Sequence, residues 1–463
     1  MKNILIAIRS IFKKGRHNVM KIVSLGIGLA VGLVLIAKVY FEQSYDDFYP
    51  DRDRVYQVWA KYQQNGGELK DYPQTSGGIA PTMQQQIPEI ETVTRYTSFG
   101  DWTFTMTDTK MKYSGRCIIA DSCFFDILPR PMLIGNAKEV LSTPMYVLIS
   151  SRIAKNIGGD VIGKNFTVDN SPGRTMTIGG VFEEVPENSH SRYDVIVSMA
   201  SAGRFMWEGS PTNMLGNDRY ISYVKLHKGV NPLALEEQVR TFVNSYFPPE
   251  EQQKVGLSID FSFHKLDNLH KELPQVKRMT WILSLLAFAL IFTAVMNYIL
   301  IVISSIVNRS KEVAVHKCYG ASENNIHGMM FGEALVHIVL SLILALLLIL
   351  AFRGTVEELL ATSLDSLLLS NGSLVLLGIC ILVFFVSGFM PGSLYARIPV
   401  ASAFRNYREN KRIWKKALLL VQFVATGFLV TMLVFVARQY TFMVNDRPGY
   451  AYENLAYCGL AGV

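Results

Sequence analysis

The chain has 463 residues, half of them hydrophobic, with five cysteines and a formal net charge of +7. The apolar residues come in long blocks, which excludes a purely soluble enzyme. The cysteines are too few for a disulfide scaffold, and the basic excess lies beside the apolar blocks, where it matches acidic lipid head groups rather than nucleic acid.

Residues 1–21 hold six basic residues and no acidic one. Ile4, Leu5, Ile8, Ile11 and Phe12 share one helical face, with Arg9, Lys13 and Lys14 elsewhere. This predicts a cytoplasmic amphipathic helix on the inner membrane surface. The first apolar block, 22–41, is too long for the core of a cleaved signal and reads as a first span, TM1. Gly26, Gly28 and Gly32 write GxGxxxG there, but no strand precedes them, so a dinucleotide site is excluded. Gly28 and Gly32 instead form a small-xxx-small face for close helix packing, within the chain or in a dimer. Lys38 and Arg438, near the outer ends of the first and last blocks, are expected to snorkel to the surface. Asp46, Asp47, Asp51 and Asp53 read as a solvated stalk, with cation binding as the alternative.

Segment 42–278 reads as an α+β domain with room for two lobes. Strand-like alternation recurs in RVYQVWAKY, RTMTIGGVF and RYISYVKLH, with helical stretches such as GGIAPTMQQQI and NPLALEEQVRTFVNSYF between. One stretch, GGDVIGKN at 158–165, is a residue short of the phosphate-binding pattern GxxxxGK[ST]. Its context is reversed: MYVLIS predicts a strand and SRIAKNI a helix before it, and FTVD a strand after it. Gly158 and Gly159 are better read as the stop of that helix. Cys117 and Cys123 share this domain, and spacing alone does not decide whether they are bridged. His190 reads as a turn residue.

Four more blocks, 279–306 (TM2), 330–352 (TM3), 373–396 (TM4) and 417–437 (TM5), are each long enough to cross a bilayer. The expected fold class is an α-helical membrane protein of about five spans with a large α+β extracytoplasmic domain. Residues 397–416 hold seven basic residues and one acidic; 353–372 hold one basic and three acidic. Lysine and arginine accumulate on the cytoplasmic side. That puts the N-terminus, 307–329 and the basic linker 397–416 inside. The domain 42–278, the short loop 353–372 and the segment 438–463 then lie outside. The plan of a basic segment, a span and an outward run opens the chain and recurs near its end, so 438–463 is expected to begin a second outer domain of which only part is present.

The loop 307–329 carries Arg309, Lys311 and Lys317, expected to face the cytosol. Residues 312–319 suit about two helical turns, with Gly320 as the stop and Ser322 as the next cap. The plain reading is a solvated, positive-inside loop. Glu333 and His337 lie four apart on one face of the third span. A proton relay is one reading; a structural role near the interface is the other. No HExxH, CxxC or GxSxG occurs, and no metal site or catalytic residue is proposed.

MNYILIVISSIVNRSKEVAVHKCYGASENNIHGMMFGEALVHIVL (296–340) resembles the signature of FtsX-like ABC-transporter permeases. The matching residues are Asn297, Arg309, Lys311, Glu312, Val313, Gly320, Ala321, Gly332 and Glu333. GFMPGSLYARIPVASAFR resembles that family's fourth span, proline turn and exit, and KKALLLVQF the opening of a second repeat. ADSCFFDILPRPMLIGNAKEVL, VIGKNFTV and GGVFEEVPENSHSRYD resemble the MacB-type periplasmic core domain. His337 and Met390-Pro391 depart from the usual pattern.

The resemblance implies a multi-pass protein of the bacterial inner membrane, with the large domain periplasmic. It implies a non-catalytic permease subunit that transmits force from a cytosolic ABC ATPase, which would dock at Arg309, Lys311, Glu312, Val315, Lys317, Gly320 and Ala321. ATP and magnesium would belong to that partner, with no cofactor on this chain. Further implied partners are membrane lipid, a periplasmic adaptor or envelope protein, and a second permease repeat in a dimer or pseudo-dimer, with no nucleic acid. Efflux of a periplasmic compound, lipoprotein release and envelope regulation all fit. The alternative is a membrane sensor of an extracellular ligand such as a peptide antibiotic, signalling to a cytosolic or kinase partner.

Overall fold

The computed structural model describes residues 17–169, 171–216, 218–369, 372–396, 399–400 and 413–445. The expected helix before residue 17, most of the basic linker 397–416, and the outer segment from 446 onward lie outside the described residues. The described residues divide into two compact units: Ser44–Leu273, and those up to Gln43 together with those of 274–445.

The first unit is α+β. Its strands are β1 (Val55–Gln64), β2 (Lys70–Tyr72), β3 (Ile90–Met106), β4 (Lys112–Ala120), β5 (Met132–Ile134), β6 (Tyr146–Ser150), β7 (Asn165–Val168), β8 (Ser171–Phe182), β9 (Val195–Ser198), β10 (Ile221–Leu226) and β11 (Leu257–Lys265). They form one sheet in the order β11-β1-β10-β3-β4-β9-β6-β8-β5, with β2 on β1, and β7 on β3 and β8. The expected room for two lobes is therefore spanned by a single sheet. The long β3 makes this so: it pairs β10 near its start, β4 through its middle and β7 at its end. Its register with β4 shifts between Ser98 and Gly100, where a φ of +74° needs glycine.

Strand periodicity sorts the core. Val58, Val93 and Val224 pack with Met83, Val239 and Phe242, which come from the helices Ile79–Gln86 and Glu236–Tyr246. Val55, Tyr96 and Tyr223 belong to a second cluster with Tyr49, Phe124 and Leu266. Adjacent Tyr223 and Val224 thus serve different cores, as successive strand residues must.

GGDVIGKN is a turn. Ser150 Oγ accepts from Ile153 N to start the helix Ser151–Ile157, and the Gly158 amide donates to Ala154 O at 3.0 Å to end it. Gly158, Gly159 and Gly163 all have positive φ, and β7 follows. The Asn165 side chain accepts from Thr177 Oγ1 at 2.8 Å across β7 and β8. Cys117 and Cys123 are both free thiols; Cys123 Sγ points to Val93 O. The expected solvated stalk is also corrected. Asp46 is fully buried against Ser189 and His190, Asp47 pairs with Arg52, and Asp51 pairs with Lys225 and Arg54.

The second unit is helical: α1 (Asn18–Gln43), α2 (Pro274–Ser304), α3 (Ile306–Cys318), α4 (Glu323–Ala351), α5 (Arg353–Leu360), α6 (Leu364–Leu368), α7 (Ser373–Ala396) and α8 (Ile413–Asn445). Five of them, α1, α2, α4, α7 and α8, are long and apolar enough to cross a membrane. Glycine sets the approach of α1 to its neighbours. A Cβ on Gly28 would lie 2.2 Å from Ala294 Cβ, and one on Gly32 would lie 2.4 Å from Ile291, both in α2. Pro391 sits inside continuous α7 rather than at a turn.

Lys38 does not snorkel to the surface. It is 7% exposed, 2.7 Å from Glu42 Oε1, and donates to Thr362 Oγ1 at 2.8 Å. A counter-ion one turn away and a hydroxyl beyond α5 satisfy the ammonium inside the protein.

Candidate functional site

The connector between α2 and α4 is almost entirely helix. α2 ends at Ser304, and Ser305 is the only residue between it and α3. The Ser305 hydroxyl donates to Val302 O at 2.6 Å, and its carbonyl accepts from Arg309 N at 3.0 Å. At the far end, Gly320 N donates to Lys317 O and Ala321 N to His316 O, each at 3.0 Å. This paired arrangement ends a helix with a left-handed residue, and Gly320 has φ +88°. Ser322 then caps α4 by accepting from Asn325 N at 3.4 Å. Gly320-Ala321-Ser322 is therefore one stop-and-start unit, legible in the sequence.

Which charges face outward was not legible. Arg309 and Lys317 were expected at the surface with Lys311, but α3 turns both inward. Arg309 is 5% exposed, and Lys317 Nζ donates to Ala396 O of α7 at 2.7 Å. Val313 and Ala314 are buried on the same side, while Glu312 is part-buried beside Arg309 at 3.6 Å. The outward stripe is Lys311, Val315, Cys318 and Tyr319, spaced i, i+4, i+7, i+8.

Beneath α3 lies a buried charge cluster. Arg309 Nη1 is 2.8 Å from Glu333 Oε2, and Lys21 Nζ is 3.5 Å from Glu333 Oε1. Lys21 also donates to Asn18 Oδ1 at 3.2 Å. The Arg309 guanidinium lies over the Tyr395 ring at 5.5 Å, and Tyr395 Oη meets Ser305 Oγ at 3.1 Å. One turn beyond Glu333, His337 Nδ1 is 3.1 Å from Tyr298 Oη. Five helices contribute: α1 with Lys21, α2 with Tyr298, α3 with Arg309, α4 with Glu333 and His337, α7 with Tyr395.

Glu333 is therefore a buried counter-ion of two cations. Removing one partner of a buried ion pair typically costs about 3–5 kcal/mol, because the other is left uncompensated. Sequence reasoning singled out Glu333, His337 and Arg309 but missed Lys21, Tyr298 and Tyr395. Lys21 reads in sequence as one more positive-inside charge, and a tyrosine in an apolar block carries no mark of its partner.

Two family models match the chain: the MacB-like periplasmic core domain over residues 20–242 and the FtsX-like permease C-terminal region over residues 284–400. Among solved structures, a domain of a permease protein from Porphyromonas gingivalis is 33% identical, with a TM-score of 0.43, covering 47% of this chain and 91% of that one. The periplasmic region of MacB from Actinobacillus actinomycetemcomitans is 14% identical, with a TM-score of 0.31 and coverage of 47% and 91%. The extracellular domain of the ABC-type transporter YknZ from Gram-positive bacteria is 10% identical, with a TM-score of 0.31 and coverage of 45% and 98%. No curated protein matches the chain.

Proposed function

This chain belongs to the FtsX-like ABC-transporter permeases with a MacB-like periplasmic core domain, and we propose on that premise that it is the non-catalytic transmembrane subunit of an ABC-type complex. It passes movement from a separate cytosolic ATPase to its own α+β domain. ATP and magnesium act on that partner. The excess of lysine and arginine at 1–21 and 397–416 supports a cytoplasmic N-terminus and connector, with the α+β domain on the outer side of the inner membrane.

The observation that carries this reading is the two-sided build of α3. Its outer stripe offers Lys311, Val315 and the 89% exposed Tyr319 to a partner. Its inner side is tied to α4 through Arg309–Glu333 and to α7 through Lys317. A load applied to the stripe therefore reaches the spans without first bending a loose loop. Nucleotide works through this element if the closed ATPase favours one placement of α3 over another. Efflux of a periplasmic compound, release of lipoproteins and regulation of an envelope enzyme are the uses this coupling suits.

The test is whether this chain co-purifies with a cytosolic ABC ATPase, followed by ATP-hydrolysis rates of the complex. Lys311→Glu with Tyr319→Ala is expected to weaken association about tenfold or more, since an aromatic anchor and a charge are both lost. Unchanged association would move the dock away from α3. ATP hydrolysis by the purified chain alone, or an intracellular signal from a topology reporter near residue 200, would overturn the subunit assignment.

A further inference from the structure

The cluster beneath α3 has one carboxylate and two cations, and the cations come from different elements. Glu333 presents Oε2 to Arg309 of the connector at 2.8 Å and Oε1 to Lys21 of the first span at 3.5 Å. All three residues are at most 6% exposed. One carboxylate is thus shared: Oε2 meets the Arg309 guanidinium closely, while Oε1 faces the Lys21 ammonium at a looser distance. The tighter contact goes to the element proposed to move, and the looser one to α1, which continues directly into the α+β domain at Ser44.

We propose that Glu333 is an exchangeable counter-ion, holding Arg309 in the arrangement described and passing to Lys21 when the connector is displaced. The inference rests on the reading of α3 as the ATPase dock and deepens it. Movement of the connector then reaches α1 as a change of ion pairing, not as a deformation of close-packed apolar side chains. No proton or bond changes hands; the carboxylate stays charged and swaps the cation it faces. Tyr395 and Asn18 flank the two positions, the first beneath the Arg309 guanidinium and the second accepting from Lys21. Glu333, Arg309 and Lys21 are positioning residues in this scheme.

If each cation can serve as the other's substitute, removing both must hurt more than the sum of removing each. The experiment uses the full chain in lipid nanodiscs and reads the midpoint of thermal unfolding. Lys21→Met and Arg309→Met are each expected to lower it by a few degrees, because one cation remains for Glu333. The double variant is expected to fall by clearly more than the two shifts added, since a lone carboxylate is then buried. Adding Glu333→Gln to the double variant is expected to restore most of the loss, which a packing role for the two long side chains would not. Additive shifts, or no recovery with Glu333→Gln, would overturn the exchange. Should the double variant fail to accumulate, recovery or non-recovery in the triple variant decides the same question. ATPase co-purification is followed in parallel and is expected to be unchanged in Lys21→Met, whose side chain is wholly buried. Failure of the wild-type chain to hold the ATPase would count against the dock alone, whereas additive melting would count against the exchange alone.

Discussion

His190 is held from both ends of its ring. Nδ1 lies 2.7 Å from Asp46 Oδ2, and Nε2 faces the hydroxyl of fully buried Tyr223. The two contacts hold the ring between the first turn of the α+β unit and β10. Asp46 also accepts from Ser189 Oγ, and Asn188 donates to Ser44 O, so the segment entering the α+β domain is pinned to the loop 188–191. A second charged group lies at the start of β1. Lys225 at 2.5 Å and Arg54 at 3.0 Å hold the Asp51 carboxyl below its ordinary range, and Arg54 does the same for Glu91. A carboxylate whose folded pKa lies below its unfolded one stabilises at pH above the unfolded value of about 4 and loses that contribution as pH falls through the folded value. Both carboxylates are over one-third exposed, so solvent keeps each effect small. The expected outcome is a lower melting midpoint for Lys225→Met at pH 7, with the gap to wild type closing as pH falls through the depressed folded pKa of Asp51. A gap that persists unchanged in acid would show that Lys225 acts by packing.

At the scale of elements, the contact of α1 with α2 depends on what is missing from Gly28. A side chain there meets Ala294 Cβ at 2.2 Å, a distance no rotamer relieves. Gly28→Leu is expected to push the helices apart and cost about 1–3 kcal/mol, as overpacking does. Its check is the thermal midpoint in detergent against Gly378→Leu in α7, where an added Cβ meets nothing within 4 Å. Equal midpoints would remove Gly28 from the packing role. The stop at Gly320 works differently. An added Cβ has open space there, but the φ of +88° disfavours any other residue, so strain alone would resist substitution.

For the whole molecule, Ser44–Leu273 is one compact unit with cores of its own, and its single sheet closes without residues from the helical unit. A fragment spanning 44–273 is expected to be secreted as a folded monomer with one cooperative thermal transition. Aggregation, or a broad non-cooperative melt, would mean that the helical unit supplies part of its stability.

The amino-acid order alone settled the elements whose causes are local. Five apolar blocks, the period-two strands of β1, β8 and β10, and the Gly320-Ala321-Ser322 stop can each be read within a window of a few to some twenty residues. It also showed that GGDVIGKN follows a helix rather than preceding one. Folding decided which ionisable groups turn inward. Lys21, Lys38, Asp46 and Arg309 look in sequence like surface charges beside a membrane, yet each is buried. Beside near neighbours such as Asn18, Glu42 and Glu312, their partners Glu333, Thr362 and His190 stand far away along the chain. Burial of a charge is tolerable only when an opposite charge or hydrogen-bond partner meets it there. Such meetings are properties of the packed helices and sheet, and no local pattern of residues announces them.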